Sequence, residues 1–497
     1  MPAANSERFR ITWADAPFLV LLLLGTLLRV GAIFAYRPIF LLVGDSYTYL
    51  RQARGAGVGS SWHPGLYGLA MRPIVALHNL TVLAVVQHVL GIAIAVAIYA
   101  LLRIRLRVPA VLAALAAAPA LLEGFQINLE HHVLAEAMFE TFIVAALVLL
   151  VWPRTPRIVT PALAGVLLAA AATTRYAGFA LLPVALVYVL VRRRSLIPAL
   201  ALIVGIVLPL VAYSGWQKTQ AGSFGVTQRN GFFLYGRVAS FVQCSKFHYP
   251  RSERSLCISV PPAERDRGGV WGAFSPIEAL RGQGSIDHQN HLAQDFAIRA
   301  IEAQPLDYLH AVGNDMAEFL SPEEPMAKEP PGVSRWTFPE DLSQVQLGGK
   351  PVRRWKGSPP PRWHFHERFT IDRGIAKYLR TYQEIVYMRG PILGAFLALG
   401  LLGGLIRGGL GSRGDLRLES LLFSVSAVAL MLFSVVVTVY HYRYTIPLVL
   451  LSGPSVALGL SQLADLTIRR WRRREMAGSP ATDRPADHRQ VRTEDAL

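Results

Sequence analysis

Five short stretches of the chain carry residue types suited to chemistry. FLLVGDSYTYL, residues 40–50, ends an apolar run on Gly-Asp-Ser, so Asp45 falls just past the first strongly hydrophobic segment. A carboxylate there is either a solvated helix end or a base for a hydroxyl proton, and a base needs hydrogen-bond reach and a suited pKa. SSWHPGLYG, residues 60–68, breaks at His-Pro-Gly and is followed by Arg72. It reads as an interfacial aromatic turn, or as a short element parallel to the membrane with His63 and Arg72 near an anionic lipid head. NLEHHVLAEAMFE, residues 128–140, spaces His132, Glu136 and Glu140 by four, one face of a helix. Glu130 and Glu136 are expected nearest the outer surface, and Glu140 deeper, as a partner for a cation such as Arg29. His131, His132 and Glu136 are weak candidates for a divalent metal (Mg or Mn), because their spacing fits no strong signature such as HExxH. TTRYAGFALLP, residues 173–183, isolates Arg175 between apolar runs, and VYHYRYTIP, residues 439–447, sets Arg443 among tyrosines. Each arginine either snorkels to the interface or offers its planar fork to a phosphate.

The elements that must position these residues are membrane helices. The chain has 497 residues, of which 52% are hydrophobic and only 17% charged. Its apolar blocks run about 20 residues without charge, the length that crosses roughly 30 Å of hydrocarbon. The expected fold class is an all-α polytopic membrane bundle of about ten helices with a small extracytoplasmic domain. The spans are expected near 17–36, 80–102, 109–123, 133–152, 158–174, 176–191, 196–215, 389–406, 418–440 and 445–464. The third and fifth are short and alanine-rich, which leaves room for a re-entrant one. The run from Pro17 to Tyr36 is too long for a signal-peptide core and reads as a retained first span.

Arginine clusters set the orientation. Arg103, Arg105 and Arg107, then Arg154 and Arg157, then Arg192, Arg193 and Arg194 follow the second, fourth and sixth spans. Arg407, Arg413 and Arg417 sit between the eighth and ninth, and five arginines from Arg469 to Arg474 follow the tenth. All fall on one side if both termini are cytoplasmic in the plasma membrane. This explains the net charge of +17 through lipid headgroups, and nucleic acid is not an expected partner. Residues 1–215 then form an N-terminal transmembrane catalytic module of about seven spans, with outer loops at 37–79 and 123–132. Residues 216–388 form an extracytoplasmic domain, 389–465 the C-terminal transmembrane helices, and 466–497 a basic cytoplasmic tail expected to be disordered. Within 216–388, HLAQDFAIRAIEAQP and LDYLHAVGNDMAEFL have helical periodicity, while PEEPMAKEPPGVSRW and GSPPPRW read as irregular loops. The only cysteines, Cys244 and Cys257, lie in this segment, where an oxidising compartment favours a disulfide.

One face of the membrane thus collects an aspartate, glutamates and isolated arginines at lipid-head depth. An anionic lipid-linked substrate with a hydroxyl-bearing acceptor needs this set: a base for the acceptor and cations for a phosphate leaving group. A transporter or flippase of lipid-linked saccharides is the alternative. Transporters tend to show inverted repeats with broken helices, and the sequence shows no internal repeat.

The ordered motifs resemble a known family. GDSYTYL followed by SWHPGLYGL is similar to the opening of bacterial polyprenyl-phosphate-sugar glycosyltransferases. TTRYAGFALLP resembles that family's T-R-x-x-G…P segment, YRYTIP its late R-Y-x-x-P, and FLYGRVASFVQC, residues 233–244, a motif of an actinobacterial branch. The resemblance covers most of residues 17–464 and is weakest across 246–388. It extends to protein O-mannosyltransferases and lipid A aminoarabinose transferases, which share the GT-C fold. It implies an active site at the outer leaflet and inverting transfer of a hexosyl or pentosyl group from a polyprenyl-phosphate sugar donor. The acceptor would be an envelope glycan, lipid or protein. By match, Asp45 takes the place of the catalytic base and His63 that of a phosphate-contacting cation, while Arg175 and Arg443 match family arginines. Relatives often carry Asp-Glu where this chain has Asp45-Ser46, and Glu136 is expected to supply the missing acid. Gly65 replaces a second proline.

Overall fold

The computed structural model describes residues 12–41, 44–55, 62–153, 158–193, 195–222, 224–265, 269–323, 336–341, 346–347, 350–351, 369–406 and 415–478. Its main helices are α1 (Ala16–Ala35), α2 (Asp45–Ala53), α3 (Leu80–Ala100), α4 (Ala110–Leu122), α5 (Gly124–Glu130), α6 (Glu136–Val151), α7 (Val159–Thr174) and α8 (Leu181–Arg193). They continue with α9 (Leu196–Ala221), α10 (Asn230–Val238), α11 (Ile286–Ala303), α12 (Pro305–Glu318), α13 (Arg373–Ile385), α14 (Gly390–Leu405), α15 (Arg417–Val437) and α16 (Thr445–Gly478). All ten expected apolar segments are helical, as they must be where no water satisfies the backbone.

Fewer than ten of these helices are full-length spans. Among the described residues five can cross a membrane by length and composition, within Trp13–Ala35, Leu80–Arg105, Leu196–Gln220, Arg417–Val437 and Tyr442–Asp465. Two bent pairs, α4 with α5 at 49° and α13 with α14 at 54°, raise this to seven. The third expected span is the first of these bends: Glu123 adopts extended dihedrals and turns the chain into α5. Helix α6 begins at Glu136 and helix α7 ends at Thr174, and the pair Glu136–Arg175 joins these two ends.

Small residues let these helices approach closely. A Cβ on Gly205 of α9 would lie 2.1 Å from the Ala162 carbonyl oxygen of α7, and one on Gly165 of α7 would lie 2.4 Å from that of Leu202. The contacts at the helix ends fix which ends lie together. Arg103, after α3, reaches Asp15 before α1 at 2.9 Å, Arg105 donates to the Trp152 carbonyl after α6, and Arg192 of α8 pairs with Glu419 of α15 at 3.0 Å. The arginines described there gather at one end of the bundle, as the charge pattern predicts. The start of α6 and the end of α7 lie at the other.

The polar segment has its own core. Phe232, Tyr235 and Val238 of α10 pack with Ala293, Phe296, Ala297 and Ala300 of α11, and with Leu256 and Val270. The two periodic stretches are helical as expected, at α11 and α12. Cys244 and Cys257 form a disulfide. Closing a loop of this size contributes about 3 kcal/mol in the chain-entropy model. Non-reduced protein is therefore expected to show no thiol reactive toward maleimide, and Cys244→Ser to unfold this core at lower temperature. Two reactive thiols in native protein would refute the bridge.

Two boundaries differ from expectation. Helix α9 runs to Ala221, beyond the expected domain edge at 215. The tail expected to be disordered from 466 continues α16 as far as Gly478, because no breaker occurs before the Gly-Ser-Pro at 478–480. The proline-rich stretches at 324–335 and 357–363, Arg154, Arg157, Arg194, Arg407 and Arg413, and residues from 479 on lie outside the described residues.

Candidate active site

Asp45 is the first residue of α2, and Gly44 before it takes φ +90°, a conformation suited to glycine. A carboxylate in the first turn also suits the helix dipole. The next residue anchors the helix: Ser46, fully buried, donates its hydroxyl to the Val133 carbonyl at 2.9 Å. The 131–133 turn is itself tied to the chain before α2. Phe40 donates its amide to the His131 carbonyl at 2.8 Å, and Val133 donates to that of Phe40 at 2.9 Å. Gln87 of α3 donates to the carbonyls of Glu130 and His132 at 2.8 and 2.7 Å. This turn is why the helix begins at Glu136. His132 therefore does not share a helical face with Glu136 and Glu140, contrary to the i, i+4, i+8 reading.

Around Asp45 the charges alternate. One carboxylate oxygen lies 3.0 Å from His63 Nε2, and the other pairs with Arg443 Nη1. Arg443 lies 3.9 Å from Glu136, and Glu136 pairs with Arg175. His63, Asp45, Arg443, Glu136 and Arg175 therefore form one continuous ladder. Burial pushes the Asp45 carboxyl up, but Arg443 and His63 outweigh it and hold the group well below the usual carboxylate range. The Asp45 side chain is 14% exposed. Glu136 is 2% exposed, and its Oε2 has no hydrogen-bond partner among the described residues.

The backbone explains the arginines. Arg175 ends α7 in extended geometry, φ −142° and ψ 134°, before the 3₁₀ turn Tyr176–Ala180. Arg443 sits in the 3₁₀ turn Tyr442–Tyr444 that precedes α16. Both guanidinium carbons lie 5.5 Å from the centroid of the Tyr444 ring, with Phe139 beside Arg175 and Trp336 beside Arg443. Aromatic faces hold a guanidinium without consuming all its donors. Neither arginine snorkels outward; each is directed into the protein.

These groups face a narrow cavity of about 100 Å³. Asp45, His63, Arg175 and Arg443 supply its polar wall; Tyr176, Phe433 and Val437 supply much of the apolar one. Of the residues singled out in the sequence, five converge here, with Glu136 just behind the lining. Arg72 does not: it is exposed at the start of the short helix Arg72–Ala76 and is absent from the lining. His132 donates Nδ1–H to the Asn128 carbonyl at 2.8 Å. Among the described residues no group of three His, Cys, Asp or Glu side chains is placed to hold a metal ion. Glu140 is not the partner of Arg29. It accepts from Gln126 at 2.8 Å, while Arg29 is paired with Glu130, which is fully buried.

Sequence reasoning missed Tyr444 and Trp336. Tyr444 lies in the quoted YRYTIP, where its position next to Arg443 was the available signal. Trp336, buried between His132, His441 and Arg443, closes a stretch that reads only as an irregular loop.

No model of a known protein family matches the chain, and no curated protein matches it. Two solved structures resemble it, both at 13% identity over 95% of this chain. One is the Archaeoglobus fulgidus oligosaccharyltransferase in the apo form, with a TM-score of 0.39. The other is the archaeal oligosaccharyltransferase AglB from Archaeoglobus fulgidus in complex with an inhibitory peptide and a dolichol-phosphate, with a TM-score of 0.40. The chain spans about half the length of these structures, 52% in each case.

Proposed function

We propose that the chain is an integral-membrane glycosyltransferase of the GT-C type that takes a sugar from a polyprenyl-phosphate donor. The observation that carries this reading is the ladder His63–Asp45–Arg443–Glu136–Arg175 on one wall of a cavity whose other wall is apolar. Two half-buried arginines suit a phosphate, the apolar wall suits an isoprenoid chain, and a carboxylate beside them suits a hydroxyl acceptor. The site lies at the bundle end opposite the arginine-rich one, which supports an active site outside the cytoplasm with both termini inside.

The chemistry follows from the ladder. The donor phosphate competes with Asp45 for Arg443, which frees the carboxylate it was holding. An acceptor hydroxyl oxygen attacks the anomeric carbon from the face opposite the phosphate, and Asp45 takes the hydroxyl proton. The bond from the anomeric carbon to the phosphate oxygen breaks, and the polyprenyl phosphate leaves with the electron pair. Arg443 and Arg175 stabilise the charge developing on it. The sugar inverts. His63 orients Asp45 through Oδ1 and contacts the carboxylate rather than the phosphate. Glu136 aims both arginines, a positioning role in place of the acid expected from it. The acceptor is an envelope glycan, lipid or protein.

Membranes containing the protein, incubated with polyprenyl-phosphate sugars and scored by mass spectrometry, are expected to consume one donor. Consumption of none across hexosyl and pentosyl donors would count against a transferase. Arg175→Ala is expected to weaken donor binding roughly 10- to 100-fold, the worth of one charge-assisted contact. Unchanged affinity of purified variant for farnesyl phosphate would return Arg175 to a purely structural role.

A further inference from the structure

A second cavity, of about 670 Å³, backs onto the first. Its walls are α12, the strip Val439–Tyr442 that joins α15 to α16, and the segments 237–243 and 262–265. The same strip bounds both cavities: Thr438, Arg443 and Tyr444 line the first, and Val439 to Tyr442 line the second. Arg443 holds Asp45, and the Tyr440 amide donates to Asp315 Oδ2 at 2.9 Å. The two anchor points are three residues apart, at most about 11 Å of fully extended chain.

The chemistry of the two cavities differs. Asp307, Asp315, Glu318 and Glu323 line the second against two arginines, and Asp307 is paired with Lys246 at 2.9 Å. Arg237 is taken by Asp315, and Arg265 donates to the carbonyls of Ala239, Val242, Val260 and Ile258. A phosphate finds there no guanidinium set like that of the first cavity. The α12 face that lines it presents His310 and Asn314, one turn apart and both exposed. On the opposite side stand Phe241, Tyr440 and His441. Arg237, 1% exposed, has an Nε without a hydrogen-bond partner among the described residues. The volume lies within the range of small-molecule sites, and the donors, acceptors and excess of carboxylates suit a hydroxyl-rich group that is neutral or carries an amine.

We propose that this second cavity holds the body of the acceptor, a glycan headgroup that is uncharged or amine-bearing. The assignment rests on the transferase reading. The strip Thr438–Tyr444 then runs between the donor cavity and the body of the acceptor, whose reacting hydroxyl extends past it to Asp45. Asp315, with Arg237 behind it, fixes the acceptor side of the strip as Asp45 and Glu136 fix the donor side.

The test uses the full chain in lipid nanodiscs and three probes: the β-1,4-linked glucosamine disaccharide, glucose 1-phosphate and farnesyl phosphate. Wild type is expected to bind the disaccharide saturably and at least about tenfold more tightly than glucose 1-phosphate. Asn314→Trp and His310→Trp, each filling the cavity from an exposed position, are expected to lose disaccharide binding about tenfold or more. Both should keep farnesyl phosphate affinity unchanged. Absence of saturable disaccharide binding, equal or tighter binding of glucose 1-phosphate, or indifference to both tryptophans would overturn the proposal. Failure of wild type to bind farnesyl phosphate would instead strike the donor reading, and the disaccharide arm would still report on the cavity.

Discussion

Asp45→Asn is expected to lower sugar transfer by about 10²- to 10⁴-fold, the usual range for losing a general base, with folding and donor binding retained. The amide keeps the shape of the carboxylate and an oxygen for Arg443, but it cannot take the acceptor proton. The pH dependence carries the same assignment further. In the free protein Arg443 and His63 hold the Asp45 carboxyl well below the usual carboxylate range, against the opposing effect of burial. The base is therefore ionised from neutral pH down past the ordinary aspartate value near 3.9. The acid limb of kcat/KM that reports this group lies below that value. Arg443→Met removes the largest single influence that lowers it and is expected to move the limb upward. The sign for stability is the same: a depressed carboxyl contributes stability above its unfolded pKa, and this is lost as pH falls through the folded one. Near-normal turnover by purified Asp45→Asn protein, assayed with the donor that wild type consumes, sinks the base assignment. An acid limb unmoved in Arg443→Met would show that another group sets it.

The sequence exposes the members of this site because each is chemically out of place. Asp45, Arg175 and Arg443 interrupt apolar or aromatic runs, and arginine sidedness puts all three at one end of the bundle. What it hides is the pairing. Arg443 and Asp45 are 398 residues apart, and Arg175 and Glu136 are 39 apart. Local periodicity cannot say that Arg175, with no acidic neighbour in sequence, meets Glu136. The same blindness gave Arg29 the wrong partner, Glu140 in place of Glu130. Extending one helix back through His132 gives Glu140 the greater depth and hence Arg29. The actual turn at 131–135, tied by Gln87 and Phe40, resets the register and gives Arg29 to Glu130. Span lengths differ for a related reason: hydropathy measures apolar length, whereas α6 begins only at Glu136, after the turn, and α7 ends before Arg175. The identity of Ser46 is explained by that turn as well. Where the resembling family often carries a second acid, this chain uses a hydroxyl to hold α2 on Val133.

Glu130→Ala is expected to cost on the order of 3–5 kcal/mol of stability, the usual result of breaking one side of a buried ion pair. Arg29 Nε and Nη2 each reach Glu130 at 2.8 Å, a bidentate fork, and its remaining donors go to the carbonyls of Gly25, Ala120 and Leu121. His88 Nδ1 lies 2.8 Å from Glu130 Oε2, and Gln126 donates to Oε1 at 3.0 Å. Both partners of the pair are essentially without solvent exposure, so a lone Arg29 would be left as an uncompensated charge inside the bundle. The packing is built around the carboxylate: a Cβ on Gly91 would lie 1.9 Å from Glu130 Oε1. The loss should also reach the active site. The Glu130 carbonyl is one of two that Gln87 holds, and the turn it begins carries Val133, the anchor of Ser46. Thermal unfolding in detergent measures the first effect, and farnesyl phosphate affinity at a temperature where the variant is folded measures the second. The controls are Arg29→Met and Glu130→Met, singly and together: replacing a buried pair by apolar residues of similar volume is often neutral, so the double variant should recover much of the stability that either single methionine change loses. A Glu130→Ala midpoint equal to wild type, or a double variant no better than the singles, would show that the pair is not what holds α1 against α5.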